Sequence, residues 1–311
     1  MMGLHRLLGM RIGVPAPDVL GGFYDELGLR QPSTGTYAGT DAGPLVSVEQ
    51  YAFRRLLEVS LGADSDRTVD EVATRLGELG AAITRSTDGE LSAIDPHSQV
   101  TFRVRVADPL PPQTPPAAIT DNAPGHTVRR NTRATGAFGT PRPPRRLGHL
   151  VIGTPDIAAT RDLLVGLGCK VSDEVEGIIA FLRCSTDHHN IGLVGSPVPM
   201  LQHYSWECDD VDHLGHAATA LLRTDPDRQA WGFGRHFIGS NYYWYLRDPA
   251  GSFLELFSDM DVIDDDDEWA RDGRTPFGFE HVANSWGPAI PAEFIVPTDL
   301  PELQAAWGAR S

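Results

Sequence analysis

Gly148-His149-Leu150-Val151-Ile152-Gly153-Thr154-Pro155, then Asp156-Ile157 and a segment ending at Gly166-Leu167-Gly168-Cys169, reads as one unit. A short apolar strand turns at a proline into a helix, and glycine stops the helix. The same order stands near the start, as Gly9-Met10-Arg11-Ile12-Gly13-Val14-Pro15 and a helix ending at Glu26-Leu27-Gly28-Leu29. It returns twice without the full motif. A strand over 56–61 leads to a helix over 69–79, with Val72, Leu76 and Leu79 on one face and Gly80 after it. A strand over 202–208 leads to a helix over 210–222, with Val211, Leu214, Ala218, Leu221 and Leu222 on one face. Short alternating strands follow each helix, among them 177–182, 190–194, 242–247 and 253–257. The pattern predicts an α+β chain of two domains, each of two repeated βαβββ modules.

The halves meet at a change of composition. Residues 107–146 hold nine prolines and no acid after Asp121, while Arg129, Arg130, Arg133, Arg142, Arg145 and Arg146 crowd the end. Proline withholds a ladder donor, so this stretch reads as an extended connection. Its arginines read either as a binding patch or as a connector laid across an acidic neighbour. The expected division is 1–106, the linker 107–146, a catalytic half 147–261, and an extension 262–311. Trp286-Gly287-Pro288 is expected at the mouth of a pocket.

With 311 residues, 41% apolar and 22% charged, the chain is neither disordered nor collagen-like. Its formal charge of −16 repels phosphate backbones, which argues against nucleic acid as a partner. No unbroken apolar run is long enough to predict a membrane span. Cys169, Cys184 and Cys208 form no CxxC pair, so a disulfide framework or thiolate zinc site is not expected. Residues 1–11 lack the marks of a signal peptide, and a cytoplasmic location follows as the expectation.

Histidine gathers in the second half. His149 sits in the first strand of its module, His203 in the equivalent strand of the next, and Glu255 in the apolar strand Ser252-Phe253-Leu254-Glu255-Leu256-Phe257. A carboxylate there is costly to bury unless something pairs with it. Two imidazoles and one carboxylate make the facial triad of non-haem Fe(II) oxygenases, with positions open for substrate and dioxygen. Taken singly, a strand histidine is more often a satisfied structural residue than a ligand. The first half is an internal control. Aligned on the strand-turn theme His149 meets Met10, and aligned on Asp248-Pro249 and Asp95-Pro96 Glu255 meets Phe102. That contrast predicts a metal site in the second half and a structural duplicate in the first. The run Asp264–Asp267 reads as a cation site or, more simply, a solvated acidic loop, and Cys208 as core.

These pieces, with Asp187-His188-His189-Asn190-Ile191, Gln202-His203-Tyr204, Gly234-Arg235-His236 and Tyr245-Leu246-Arg247-Asp248-Pro249-Ala250-Gly251, resemble a type I extradiol ring-cleaving dioxygenase of the vicinal oxygen chelate superfamily. The resemblance is specific from about 146 to 261. It implies that His149, His203 and Glu255 bind Fe(II), with Mn(II) as the alternative, and that O2 is co-substrate. It implies that His189 is the pocket acid/base, with His188 the second choice, and that His236 and Tyr245 hydrogen-bond the substrate and oxygen. The substrate would be a small aromatic diol and the protein a homo-oligomer. Phe237, Ile238, Gly239 and Ser240 follow His236 where many biphenyl-type members carry polar residues. Tyr242-Tyr243-Trp244 suggests a flat apolar substrate, although strand alternation turns some of these side chains outward. Two other readings share the scaffold: a redox-neutral divalent-metal isomerase or lyase, and a metal-free binding or resistance protein.

Overall fold

A computed structural model describes residues 3–116, 121–273 and 284–310; parts of the connector (117–120) and of the extension (274–283) lie outside the described residues. The fourfold repeat is present. The first half runs β1 (Leu4–Val14), α1 (Pro17–Glu26), β2 (Arg30–Ser33), β3 (Thr36–Ala38), β4 (Leu45–Gln50), then β5 (Arg55–Ala63), α2 (Asp66–Glu78), β6 (Ile83–Arg85), β7 (Leu91–Ile94), β8 (Thr101–Val106). The second half runs β9 (Leu147–Thr154), α3 (Ile157–Leu167), β10 (Lys170–Val175), β11 (Ile179–Arg183), β12 (Ile191–Gly195), then β13 (Met200–Glu207), α4 (Val211–Thr224), β14 (Gln229–Arg235), β15 (Tyr242–Arg247), β16 (Phe253–Ser258). Each half forms one eight-stranded sheet, ordered β2-β3-β4-β1-β5-β8-β7-β6 and β10-β11-β12-β9-β13-β16-β15-β14. The α+β class and the two-by-two module plan are those expected.

Local chemistry sets the helix ends. Carboxylates of Asp156 and Asp210 accept the backbone N–H of Ala159 and His213 at 2.9 and 2.7 Å, starting α3 and α4. α3 stops at Gly168, whose φ of +104° suits glycine. α2 starts one turn before position 69 because Ser65 Oγ accepts from the Thr68 N–H. The buried stripe is therefore Val69, Val72 and Leu76, while Leu79, expected on that face, caps the helix and is exposed.

One continuous apolar core joins the halves. Tyr24 of α1 meets Tyr204 of β13 edge-on at 6.1 Å. α2 packs on α3 at Gly166, where a Cβ would come within 2.6 Å of Leu79. Arg54, buried just ahead of β5, reaches into the second half. It donates to both carboxylate oxygens of Asp299 (2.6 and 2.8 Å), to the carbonyl of Leu201 (2.8 Å) and to Ser252 Oγ (3.2 Å). Replacing Arg54 by Met should cost about 2–4 kcal/mol, because it strands these acceptors, with Asp299 partly solvated. The urea midpoint of the full chain checks this; an unchanged midpoint would contradict it. The same shared core predicts that residues 140–311, expressed alone, give a poorly soluble fragment; a soluble fragment as stable as the full chain would contradict a scaffold role for the first half.

The connector contains a short 3₁₀ turn (Thr135–Phe138) and ends in an ionic clasp. Arg145 bridges Asp41 of the first half (2.8 Å) and Asp209 of the second (2.9 Å). Arg146 forks onto Asp187 at 2.9 and 3.0 Å and also pairs with Glu207. The arginines at this end lie across acidic neighbours. Asp266 of the aspartate run pairs with Lys170 and Arg183. Among the described residues no helix is long and apolar enough to cross a membrane.

Candidate metal centre

Strand register builds the site. Tyr245 of β15 pairs with Glu255 of β16, Glu255 with Ser205 of β13, and Ser205 with His149 of β9. Four adjacent strands thus present one row of side chains to the same face. His203, two residues before Ser205, returns to that face by strand alternation. The matching row of the first sheet is Met10, Val59 and Phe102, in the same pairing and all buried. Met10 and Phe102 are the residues that the sequence sets against His149 and Glu255.

One nitrogen each from His149 and His203 and one oxygen from Glu255 lie within 4.8 Å of one another. His149 Nε2 stands 2.8 Å and His203 Nε2 3.6 Å from Glu255 Oε2. Glu255 is fully buried and also accepts from Ser205 Oγ (2.5 Å) and Asn241 Nδ2 (3.1 Å). Burial alone would push its carboxyl up, but His149 and the other imidazoles around it hold it well below the usual range. Burial also pulls His203 down to about 3, against the opposing pull of Glu255, so its imidazole is neutral. Gln202 Oε1 accepts from His203 Nδ1, which leaves the Nε2 lone pair facing the carboxylate.

This donor set fits a divalent cation. The charge of a wholly buried carboxylate is met here only by imidazoles and neutral donors, and no lysine or arginine lines the cavity among the described residues. A metal would take the place of the direct contact between His149 Nε2 and Glu255 Oε2. His149, His203 and Glu255 would hold it, and two imidazoles with one carboxylate suit Fe(II) or Mn(II).

The cavity beside this triad has a volume of about 460 Å³. All six residues singled out from the sequence line it: His149, His203, Glu255, His189, His236 and Tyr245. His189 lies on the His149 side, ring centroids 4.3 Å apart. Burial first, then the nearby His149 and His188, holds its imidazole well below its ordinary value. On the opposite side His236 Nε2 stands 2.9 Å from the Tyr245 hydroxyl and 3.6 Å from Glu255 Oε1. Burial and the Glu255 charge push the Tyr245 phenol well up, so it keeps its proton and can donate it in a hydrogen bond. His188 is fully buried and does not line the cavity.

The walls correct two expectations. Trp231, Ile238 and Phe181 line the cavity, whereas Tyr242, Tyr243 and Trp244 do not. Tyr243 instead stacks under His236, centroids 4.0 Å apart, and strand alternation sends Tyr242 and Trp244 to the other face. Trp286-Gly287-Pro288 does not reach the cavity either; Ile290, Phe294 and Ile295, just beyond it, close that side. Phe294 and Ile295 belong to a short helix (Ala292–Ile295), held by a hydrogen bond from Gln202 Nε2 to the Phe294 carbonyl. Sequence reasoning missed Ser205 and Asn241, which brace Glu255. Ser205 is two residues from His203 in a strand, and that spacing was a usable signal.

Residues 146–256 match the model of the Glyoxalase/Bleomycin resistance protein/Dioxygenase superfamily. This segment is a domain of that superfamily. Metapyrocatechase 2 of Cupriavidus necator is 35% identical to this chain over 159 residues, 50% of this chain and 48% of that protein. The 2,2',3-trihydroxybiphenyl dioxygenase of Sphingomonas paucimobilis is 31% identical over 162 residues, half of each chain. The chain thus spans about half the length of the curated relatives it matches. Beyond the superfamily domain, the fold of nearly the whole chain follows homoprotocatechuate 2,3-dioxygenase from Brevibacterium fuscum, solved in complex with 3,4-dihydroxyphenylacetate. The TM-score is 0.71 at 18% identity, covering 94% of this chain and 91% of that one. The resemblance to extradiol enzymes seen in the sequence is carried by these relatives.

Proposed function

We propose that the chain is an extradiol dioxygenase that uses Fe(II), with Mn(II) the alternative, and O2 to open the ring of a catechol beside its two hydroxyls. The observation that carries this reading is the meeting of His149, His203 and Glu255 at one end of a cavity whose walls hold His189, His236 and Tyr245. What a divalent metal bound there would supply is chelation of the catechol oxygens and electron exchange between the ring and dioxygen. His189 takes a catechol proton on Nε2 and returns it to oxygen later. Tyr245 OH and His236 hold the oxygens on the far side by hydrogen bonds. Ile179, Phe181, Trp231, Ile238 and Phe294 exclude water and grip a flat ring. The first half is a scaffold in this reading, and the working protein is a homo-oligomer in the cytoplasm.

The catechol carries a neutral, apolar substituent. Glu255 is the only acid or base, apart from histidine and tyrosine, on the described cavity walls. Among the described walls a substituent carboxylate would meet no lysine or arginine and would lie near a second buried carboxylate. The Brevibacterium enzyme was solved with an acid, 3,4-dihydroxyphenylacetate. Here kcat/KM for that acid should fall about 10²–10³-fold below that for an alkyl- or phenyl-substituted catechol, the cost of an unpaired buried charge.

Oxygen uptake decides the reading. The full-length protein, loaded anaerobically with Fe(II) or Mn(II), is mixed with catechol, 3-methylcatechol, 3-phenylcatechol and 3,4-dihydroxyphenylacetate. The expected result is one O2 consumed per catechol and a yellow ring-opened product. Metal-loaded protein that consumes no oxygen with any of them overturns it. Isomerised or cleaved substrate without oxygen uptake would establish the redox-neutral alternative instead.

A further inference from the structure

We propose that Asp173 and His188 are a positioning pair that fixes the proton of His189 on Nδ1 and leaves its Nε2 lone pair to the cavity. The inference rests on the reading of His189 as the group that accepts the catechol proton.

Two contacts carry it. His188 Nε2 lies 3.0 Å from Asp173 Oδ2, and His188 Nδ1 lies 3.1 Å from His189 Nδ1. A carboxylate only accepts, so His188 Nε2 donates to Asp173. A neutral His188 then has an acceptor at Nδ1. The hydrogen bond between the two Nδ1 atoms must take its proton from His189. That assignment leaves His189 Nε2 unprotonated, on the one ring nitrogen not engaged by His188. Free imidazole side chains favour the opposite tautomer, with the proton on Nε2. In that form His189 would present a donor to the cavity and could not take a proton from a catechol. A carboxylate that sets the tautomer of a working histidine is the role of the third member of a hydrolase triad. Here a second imidazole stands between the two.

The surroundings hold His188 in one place. Its N–H donates to the Asp261 carbonyl at 2.8 Å, and its own carbonyl accepts from Ser172 Oγ at 2.5 Å. Phe181 and Trp269 meet its ring edge-on, and Trp269 Nε1 donates to the Ser172 carbonyl at 3.1 Å. In a regular strand the adjacent Ser172 and Asp173 would point to opposite faces. The pairing of β10 with β11 shifts register between Val171 and Asp173, and at this irregularity both side chains reach His188. The bulge is therefore what lets one strand grip both the backbone and the ring of His188. Asp173, His188 and His189 are not among the metal-ligating residues, and His188 and Asp173 do not line the cavity.

Asp173→Asn tests the pair. Its amide can donate to His188 Nε2, which reverses the chain of hydrogen bonds and moves the His189 proton to Nε2. With a neutral alkylcatechol, kcat should fall at least about 10²-fold, the scale of lost acid–base assistance, with KM and metal content little changed. His188→Gln, whose side-chain oxygen can still accept from His189 Nδ1, should keep more activity than His188→Leu. Histidine ring 15N NMR of the metal-free full-length protein reads the tautomer without turnover. The expected result is His189 with its proton on Nδ1 in the natural protein and on Nε2 in Asp173→Asn. A natural protein with the proton on Nε2 overturns the inference, even if no variant folds. So does an Asp173→Asn enzyme with unchanged kcat and unchanged tautomer. If the natural protein consumes no oxygen with any catechol but shows the tautomer switch, the positioning pair stands and the ring-cleavage reading falls.

Discussion

Glu255→Gln should strip the metal from the protein and bring ring cleavage to background while the fold survives. Among the described residues the carboxylate supplies the only formal negative charge at the site, so losing it should weaken metal affinity well beyond the about 10–100-fold typical of losing an outer hydrogen-bond partner. The fold should tolerate the change, because Gln has the same shape. With its oxygen in the place of Oε1 it can still accept from Asn241 Nδ2, and its NH2 in the place of Oε2 can donate to Ser205 Oγ, whose hydroxyl can turn to accept. Elemental analysis of the purified variant and a thermal melt check both halves of this expectation. Chelator should lower the melting temperature of the natural protein and leave that of the variant unmoved, since only a ligand that binds the native state stabilises it. Full metal occupancy in Glu255→Gln would refute the ligand assignment.

His189→Ala should do the opposite: keep the metal, keep catechol binding, and lose turnover. Its ring touches His149 but is not among the converging ligand atoms. A general acid–base group contributes about 10²–10⁴-fold to rate, and kcat should fall by that factor with KM nearly unchanged. Near-normal turnover in His189→Ala would remove this residue from the mechanism. If His188→Ala alone showed the large loss, the choice between the two neighbours would be reversed. The positioning pair adds that both should be slow, with His189 the slower.

The parts of the molecule that were legible in the sequence are those set by short-range pattern. Strand, proline, helix and glycine recur in a fixed order, and each link has a local cause, such as the Asp156 cap and the left-handed Gly168. The shared face of His149, His203 and Glu255 was legible because alternation within strands and repetition between modules together fix which face a residue takes. What stayed hidden depends on interruptions of those rules. The bulge beside Asp173 has no glycine or proline to announce it, and nothing in the sequence singled Asp173 out. The wall formed by Phe294 comes from a four-residue helix far from the strands it covers, and no periodicity points from one to the other. Tyr242, Tyr243 and Trp244 misled for a different reason. Aromatic richness shows burial, but not whether the buried face meets a ligand or a neighbouring side chain.

The grip of Arg54 on Asp299 sets a clock on biosynthesis. The two residues are 245 positions apart, so a ribosome working at about 5–20 residues per second delivers Asp299 roughly 12–50 s after Arg54. For that interval the guanidinium has neither its carboxylate nor the Leu201 carbonyl and Ser252 hydroxyl for much of the time, because these too are made late. The first sheet must wait, with a cation at the start of its central strand β5, for the partner surface that will bury it. Phe294, five residues ahead of Asp299, arrives in the same final window. The triad His149, His203 and Glu255 is therefore synthesised before the part of its cavity wall that Phe294 forms, so the metal ligands are in the chain before the pocket that a substrate would fill is complete.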